Sequence, residues 1–118
     1  MVIRQGDVVW VVLPTPRGSE PGGRRPAVVL QHDRFNQTAL NTAIVAMLTS
    51  NVRLAALPGN VRLKKGEAGV RKPSVINVTQ IATLDRNDIV GRLGTLSGRR
   101  LSEVWNGVRL VLEPDARS

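Results

Sequence analysis

Arginine and hydroxyl side chains carry most of the chemistry in this sequence. The stretch Gly22-Gly23-Arg24-Arg25-Pro26 runs into the apolar segment Ala27-Val28-Val29-Leu30-Gln31. Paired glycines let the backbone turn sharply, and proline fixes φ and biases the residue before it toward an extended conformation. The apolar segment, rich in β-branched residues, reads as a strand. Arg25 is therefore expected where a loop enters a rigid strand, a good position for a side chain that grips a ligand. An exposed arginine pair solvating a loop would show the same pattern. A second apolar run, Thr42 to Thr49, ends in Thr49-Ser50-Asn51. Two hydroxyls and an amide at a strand end suit phosphate or sugar contacts, and they also suit an ordinary turn. Polar residues Asn77, Thr79 and Gln80 interrupt the longest strand candidate, as the lining of a groove would.

Much other chemistry is excluded by composition. The chain has no cysteine and one histidine, His32, so zinc sites built from nitrogen and sulfur ligands are not expected. The same shortage disfavours a two-histidine ribonuclease or a Ser-His-Asp triad. Neither a P-loop nor a Gly-x-Gly-x-x-Gly turn after a strand is present, and the nine carboxylates show no metal-site spacing. Phosphate chemistry without metal or cofactor remains. RNA can cleave itself when its 2′-hydroxyl attacks the adjacent phosphorus, and a protein need only align the attack and stabilise the added charge. An arginine fork and a hydroxyl donor suffice for the charge, which makes Arg25 and Thr49 the catalytic candidates. Arginine stays charged at ordinary pH, so Arg25 is read as an electrostatic clamp and candidate proton donor. The base is left to a water or a phosphate oxygen.

Charge points to the same class of partner. Seventeen Lys and Arg face nine Asp and Glu, a net charge of +8, and fourteen of the seventeen are Arg. Such a surplus favours a polyanion, and guanidinium grips phosphate bidentately. A GC-rich genome would explain arginine over lysine but not the net charge. Trp10, Phe35 and Trp105 are the only aromatics, too few for a base-stacking platform. RNA contacts must then come from charged and polar groups. The candidates are Arg17, Ser19, Glu20 and Arg24 in the first loop, Ser50, Asn51 and Arg53 after the third strand, Asn77, Thr79 and Gln80 in the long strand, and Arg86 in the turn after it.

One domain is expected over residues 1–118, with a core of its own. No apolar run approaches a membrane span, and no basic-then-apolar leader is seen, so a cytoplasmic protein is expected. Val8 to Leu13 reads as a strand covered on both faces. Pro14 to Gly23 is a long Gly- and Pro-rich loop of the kind that often carries function. His32 to Gln37 reads as a single helical turn capped by Asp33, and Gly59 to Leu63 as a half-exposed strand. Lys64 to Lys72 is a basic loop. Pro73 to Leu84 is the longest strand, alternating from Ile76 onward. Asp85 caps a turn through Asp88, and Ile89 to Thr95 is a last short strand. Ser97 caps a final helix whose apolar stripe is Leu101, Val104, Trp105, Val108 and Leu112, and Pro114 ends it. Gly107 inside that helix, with Leu110 off its stripe, suggests close contact with a second surface such as another subunit. The expected architecture is mainly β (α+β): a small, strongly curved sheet or barrel with short flanking helices and a C-terminal helix.

In their order and spacing, four segments resemble the MazF/PemK family of toxin–antitoxin ribonucleases. They are Gly6-Asp7-Val8-Val9-Trp10, Gly18-Ser19-Glu20-Pro21-Gly22-Gly23-Arg24-Arg25-Pro26, Thr49, and Ser74-Val75-Ile76-Asn77-Val78-Thr79-Gln80-Ile81. The resemblance runs from about Val2 to Leu112. It implies an SH3-like barrel, a homodimer, and metal-independent cutting of single-stranded RNA at short sequences. The products would be a 2′,3′-cyclic phosphate and a 5′-hydroxyl. It also implies a cognate antitoxin, whose disordered acidic tail would cover the basic groove. The family's essential arginine and threonine fall on Arg25 and Thr49. Its loop serine and glutamate fall on Ser19 and Glu20, and its strand glutamine on Gln80. One branch of the family has an Arg-x-Asp pair where this chain has Asn77 and Thr79, so that branch's acid–base scheme does not carry over. The alternatives are a CcdB-like toxin that inhibits DNA gyrase without catalysis, and an RNA-binding module without cleavage.

Overall fold

The run from Val8 to Leu13 lacks polar alternation because both its sides are covered. In the computed structural model, which describes residues 1–13 and 23–116, it lies in strand β1 (Asp7–Leu13). Then follow β2 (Gly23–Val29), helix α1 (Asp33–Asn36), β3 (Thr42–Thr49), β4 (Val61–Leu63), β5 (Ser74–Asp85), β6 (Ile89–Thr95) and α2 (Gly98–Leu112). Short 3-10 turns occupy Val52–Ala56, Glu67–Gly69 and Arg86–Asp88. The strands form one antiparallel sheet in the order β4-β5-β3-β2-β1-β6. The fold is mainly β, a curled half-barrel with a C-terminal helix, as the sequence leads one to expect.

Period-two alternation divides the sheet's residues between two clusters. Val8, Val28, Leu30, Ala46 and Leu48 join Val61, Leu63, Ile76 and Val78 beneath Val104 and Val108 of α2. Val9, Val11, Ala27, Val29, Val45 and Met47 face the other way and pack with Ile3 and Ile89. Val8, Val9 and Val11 are all fully buried.

Several elements differ locally from the sequence reading. β2 begins at Gly23 and takes in both arginines, so Arg25 sits inside a strand, paired with Val11. The β2–β3 ladder is recorded from Ala27, just past the residue that has no N–H to give. His32, not Asp33, caps α1, its Nδ1 accepting the Arg34 N–H at 3.0 Å. Asp33 instead accepts the Gln5 N–H (2.8 Å) and the Asn36 amide (3.1 Å), tying the N-terminal segment to α1. These two hydrogen bonds hold its carboxyl below the usual range, the Gln5 N–H contributing most. The half-exposed strand is shorter than expected, covering only Val61–Leu63.

Gly107 does mark a close approach, but its partner is in the same chain. A Cβ at Gly107 would lie 2.1 Å from the Gly59 carbonyl oxygen. Leu112 is 64% exposed and leaves the buried stripe, whereas Val104 and Val108 are buried as expected. Gly94 in β6 is similarly required, since a Cβ there would meet the Ala68 backbone at 2.5 Å.

Candidate active site and RNA-binding face

Alternation in β2 sends its two arginines to opposite faces. The Arg24 guanidinium lies 5.4 Å from the centroid of the Trp10 ring, a cation–π distance. Arg25 shares the face of its partner Val11 and of Ala27. Its Nη2 donates to the Leu48 carbonyl at 3.4 Å, which lays the guanidinium across the end of β3. Ala27 pairs with Met47 at the end of the β2–β3 ladder, and continuing that register two residues along each strand would bring Arg25 opposite Thr49, consistent with the Arg25 contact to Leu48. Neighbouring strands lie about 4.8 Å apart, so one phosphate group can meet both side chains.

The Thr49 hydroxyl has a fixed role in its local network. Its Oγ1 accepts the Asn51 N–H at 3.1 Å. A backbone N–H can only donate, so the Thr49 proton is left to be given elsewhere. Asn51 Oδ1 accepts the Arg53 N–H at 3.2 Å and caps the turn Val52–Ala56. Ser50, Asn51 and Arg53 are exposed around Thr49.

Thr49 also pairs with Val75, and Val75 with Arg62. Arg62, Val75 and Thr49 thus form one row across the sheet, and the pair Arg25 and Val11 lies on the same face. Arg62 was not singled out from the sequence, because it is one of fourteen arginines in a short alternating strand. Only the register reveals its alignment with Thr49. It is exposed, as are Arg71 and Lys72 just ahead of Ser74. This end of the sheet is therefore rimmed with positive charge.

Farther along β5, the pairing with β3 slips. Ile76 faces Leu48 and Ile81 faces Ala46, so Asn77, Val78, Thr79 and Gln80 all oppose Met47. Asn77 is buried, while Thr79 and Gln80 are exposed. Asn77 Oδ1 accepts both the Thr79 hydroxyl (2.8 Å) and the Thr79 N–H (3.3 Å). The Val78 N–H goes to Asn60 Oδ1 at 3.0 Å, anchoring the bulge from the β4 side.

The structure thus brings Arg25, Thr49, Ser50, Asn51, Arg53, Asn77, Thr79 and Gln80 to one end of the sheet. Arg86 lies elsewhere. Its neighbour Asp85 pairs with Thr42, at the far end of β3 from Thr49, about 20 Å away by strand rise. Its guanidinium donates to the carbonyls of Asn36 (2.7 Å), Leu40 (3.2 Å) and Thr38 (3.4 Å), which makes it a clamp on the segment after α1. Arg17, Ser19 and Glu20 lie outside the described residues. A groove of about 710 Å³ between β4 and α2 lies around the sheet edge from Thr49 and shares only Arg62 with the row of residues at the site. Among the described residues, no group of His, Asp or Glu side chains is arranged to hold a metal ion.

Residues 4–112 match the family described as PemK-like, MazF-like toxin of type II toxin–antitoxin system. The chain is 42% identical over 113 residues to endoribonuclease MazF6 of Mycobacterium tuberculosis, covering 96% of this chain and 99% of that protein. It is 38% identical over 111 residues to endoribonuclease MazF of Staphylococcus saprophyticus, covering 94% and 92%. Among solved structures, a MazE–MazF crystal structure from Deinococcus radiodurans superposes with a TM-score of 0.78 at 27% identity, covering 98% of this chain and 99% of that one.

Proposed function

The chain belongs to the PemK-like, MazF-like family of toxins of type II toxin–antitoxin systems, and from that premise we propose that it is a metal-independent endoribonuclease that cuts single-stranded RNA at short sequences. The observation that carries the reading is the juxtaposition of Arg25 and Thr49 on neighbouring strands inside a rim of exposed arginines. The substrate's 2′-hydroxyl attacks the adjacent phosphorus, giving a 2′,3′-cyclic phosphate and a 5′-hydroxyl. Arg25, with one nitrogen held by the Leu48 carbonyl, offers its remaining N–H groups to the phosphate oxygens as negative charge builds. Thr49 donates to the same group. A water or a phosphate oxygen takes the 2′-hydroxyl proton, and as the P–O5′ bond breaks the departing 5′-oxygen takes a proton from Arg25, which regains one from solvent. The protein acts in the cytoplasm as a homodimer, and a cognate antitoxin with an acidic tail neutralises it by covering the basic rim.

The relatives named as endoribonucleases speak against the gyrase-inhibiting alternative. Incubating the pure protein with mixed RNA in EDTA tests the reading. Discrete fragments with 5′-hydroxyl ends are expected, and Arg25→Ala should abolish them while leaving fold and assembly intact. Intact RNA alongside stalled gyrase would overturn it in favour of a CcdB-like toxin.

A further inference from the structure

Two threonines in this site are wired with opposite polarity. Thr49 Oγ1 accepts from the Asn51 N–H and keeps its proton to give. At Thr79 the wiring is reversed. The Thr79 N–H donates to one atom of the Asn77 amide, so that atom must be the oxygen. The Thr79 hydroxyl lies 2.8 Å from the same oxygen and must therefore donate to it as well. Its proton is spent, and toward solvent the Thr79 oxygen can only accept. Asn77 is buried, which holds the arrangement in place, while Thr79 is exposed.

The register sets what this acceptor faces. Asn77 has the strand parity of Val75, the partner of Thr49, and the bulge presses Asn77 to Gln80 against the single residue Met47. Thr79 thus lies between the level of Thr49 and that of Ala46, within about 10 Å along the strand. RNA phosphates offer acceptors only, so an acceptor-only hydroxyl has no use for them. The donors on RNA are base N–H groups, exocyclic amino or ring imino, and the ribose 2′-hydroxyl; only the base groups carry sequence, so a loss of discrimination confined to one nucleotide position distinguishes them.

We propose that Thr79 is a specificity-determining residue that accepts a hydrogen bond from a base N–H flanking the cut, and that Asn77 is the positioning residue that sets its polarity. The proposal rests on the endoribonuclease reading and adds to it a division of labour: Thr49 serves the phosphate, and Thr79 reads a base.

Sequencing the 5′-hydroxyl ends made from a random RNA pool tests it, using the full chain and its Thr79→Val, Thr79→Ser and Asn77→Ala variants. Valine keeps the β-branched shape at an exposed position but cannot accept. Thr79→Val should lose about fivefold of the discrimination at one nucleotide position, with the other positions unchanged. Thr79→Ser should keep the motif. Asn77→Ala should free the hydroxyl to donate, broadening that same position toward bases that present an acceptor. RNA carrying inosine for guanosine, or purine riboside for adenosine, at that position should cost the wild type as much as Thr79→Val does when the base N–H read is an amino group. An unchanged motif in Thr79→Val, or a loss spread evenly over all positions, would overturn the proposal while leaving the endoribonuclease reading standing. A wild-type protein that makes no ends at all would overturn that reading first.

Discussion

Arg25 and Thr49 stand out in the sequence because few other residue types remain for phosphate chemistry once histidine pairs and thiolates are excluded. The structure sharpens both. Arg25 is held inside a strand rather than at a loop mouth, with the Leu48 carbonyl fixing one end of its guanidinium. A strand side chain with an anchored fork stays closer to one geometry than a loop side chain does. Arg25→Lys keeps the charge but loses the planar fork, so single-turnover cleavage should fall about a hundredfold or more. Near-normal turnover would show that charge alone suffices. At Thr49, valine removes the donor and serine retains it. Thr49→Val should slow cleavage about a hundredfold with little change in RNA affinity, and Thr49→Ser should recover most of the rate. A large loss in Thr49→Ser beside near-normal turnover in Thr49→Val would mean that the methyl group, not the hydroxyl, matters.

Strand existence was largely readable because apolar runs bounded by Gly, Pro and Asn persist along the chain, and register was not. Period two from Ile76 to Leu84 gave no sign of the four-against-one bulge, since alternation says which residues share a face but not what lies opposite. For the same reason the sequence did not single out Arg62, which joins Thr49 only through Val75. Arg62→Ala should weaken RNA binding and reduce the dependence of log affinity on log salt by about one unit, leaving the single-turnover rate at saturating RNA unchanged. A salt titration of binding checks this, and an unaltered slope would remove Arg62 from the phosphate path. Helix α2 shows the converse case. Its glycine marks a close contact in the sequence, but the sequence does not say with what. Packing places the Gly59 backbone against Gly107. Gly107→Ala must therefore push helix and loop apart, at a cost of about 1–3 kcal/mol. Urea unfolding should show the loss, and an unchanged midpoint would mean that the helix slides without penalty.

One ionic cluster joins elements of the molecule that are distant in sequence. Glu67, in the 3-10 turn between β4 and β5, meets Arg100 of α2 through two contacts of 2.9 Å, and Arg100 also reaches Glu103 at 2.9 Å. That turn sits against β6 at the opposite edge of the sheet, where Gly94 meets Ala68. The cluster thus pins helix, connecting turn and both sheet edges together. From sequence, Lys64 to Lys72 reads as a basic loop, because a glutamate thirty-three residues from its arginine leaves no local pattern. Arg100, with the Lys64 N–H next in strength, lowers the Glu67 carboxyl from 4.5 to about 2. A carboxylate with a depressed folded value stabilises the protein above its unfolded value, and that stabilisation is lost as pH falls through the folded one. Between about 4.5 and about 2 the unfolded chain binds more protons, so stability should rise with pH across that window and level off above it. Glu67→Gln should lower stability at neutral pH by about 1–2 kcal/mol. It should also flatten the slope across the acid window, leaving the share contributed by Asp33, whose carboxyl is likewise held low by the Gln5 N–H and Asn36. Thermal unfolding of both proteins from pH 2 to 7 checks this. Parallel curves would mean that Glu67 releases its proton no more readily in the folded chain than in the unfolded one, and that apolar packing alone closes the half-barrel.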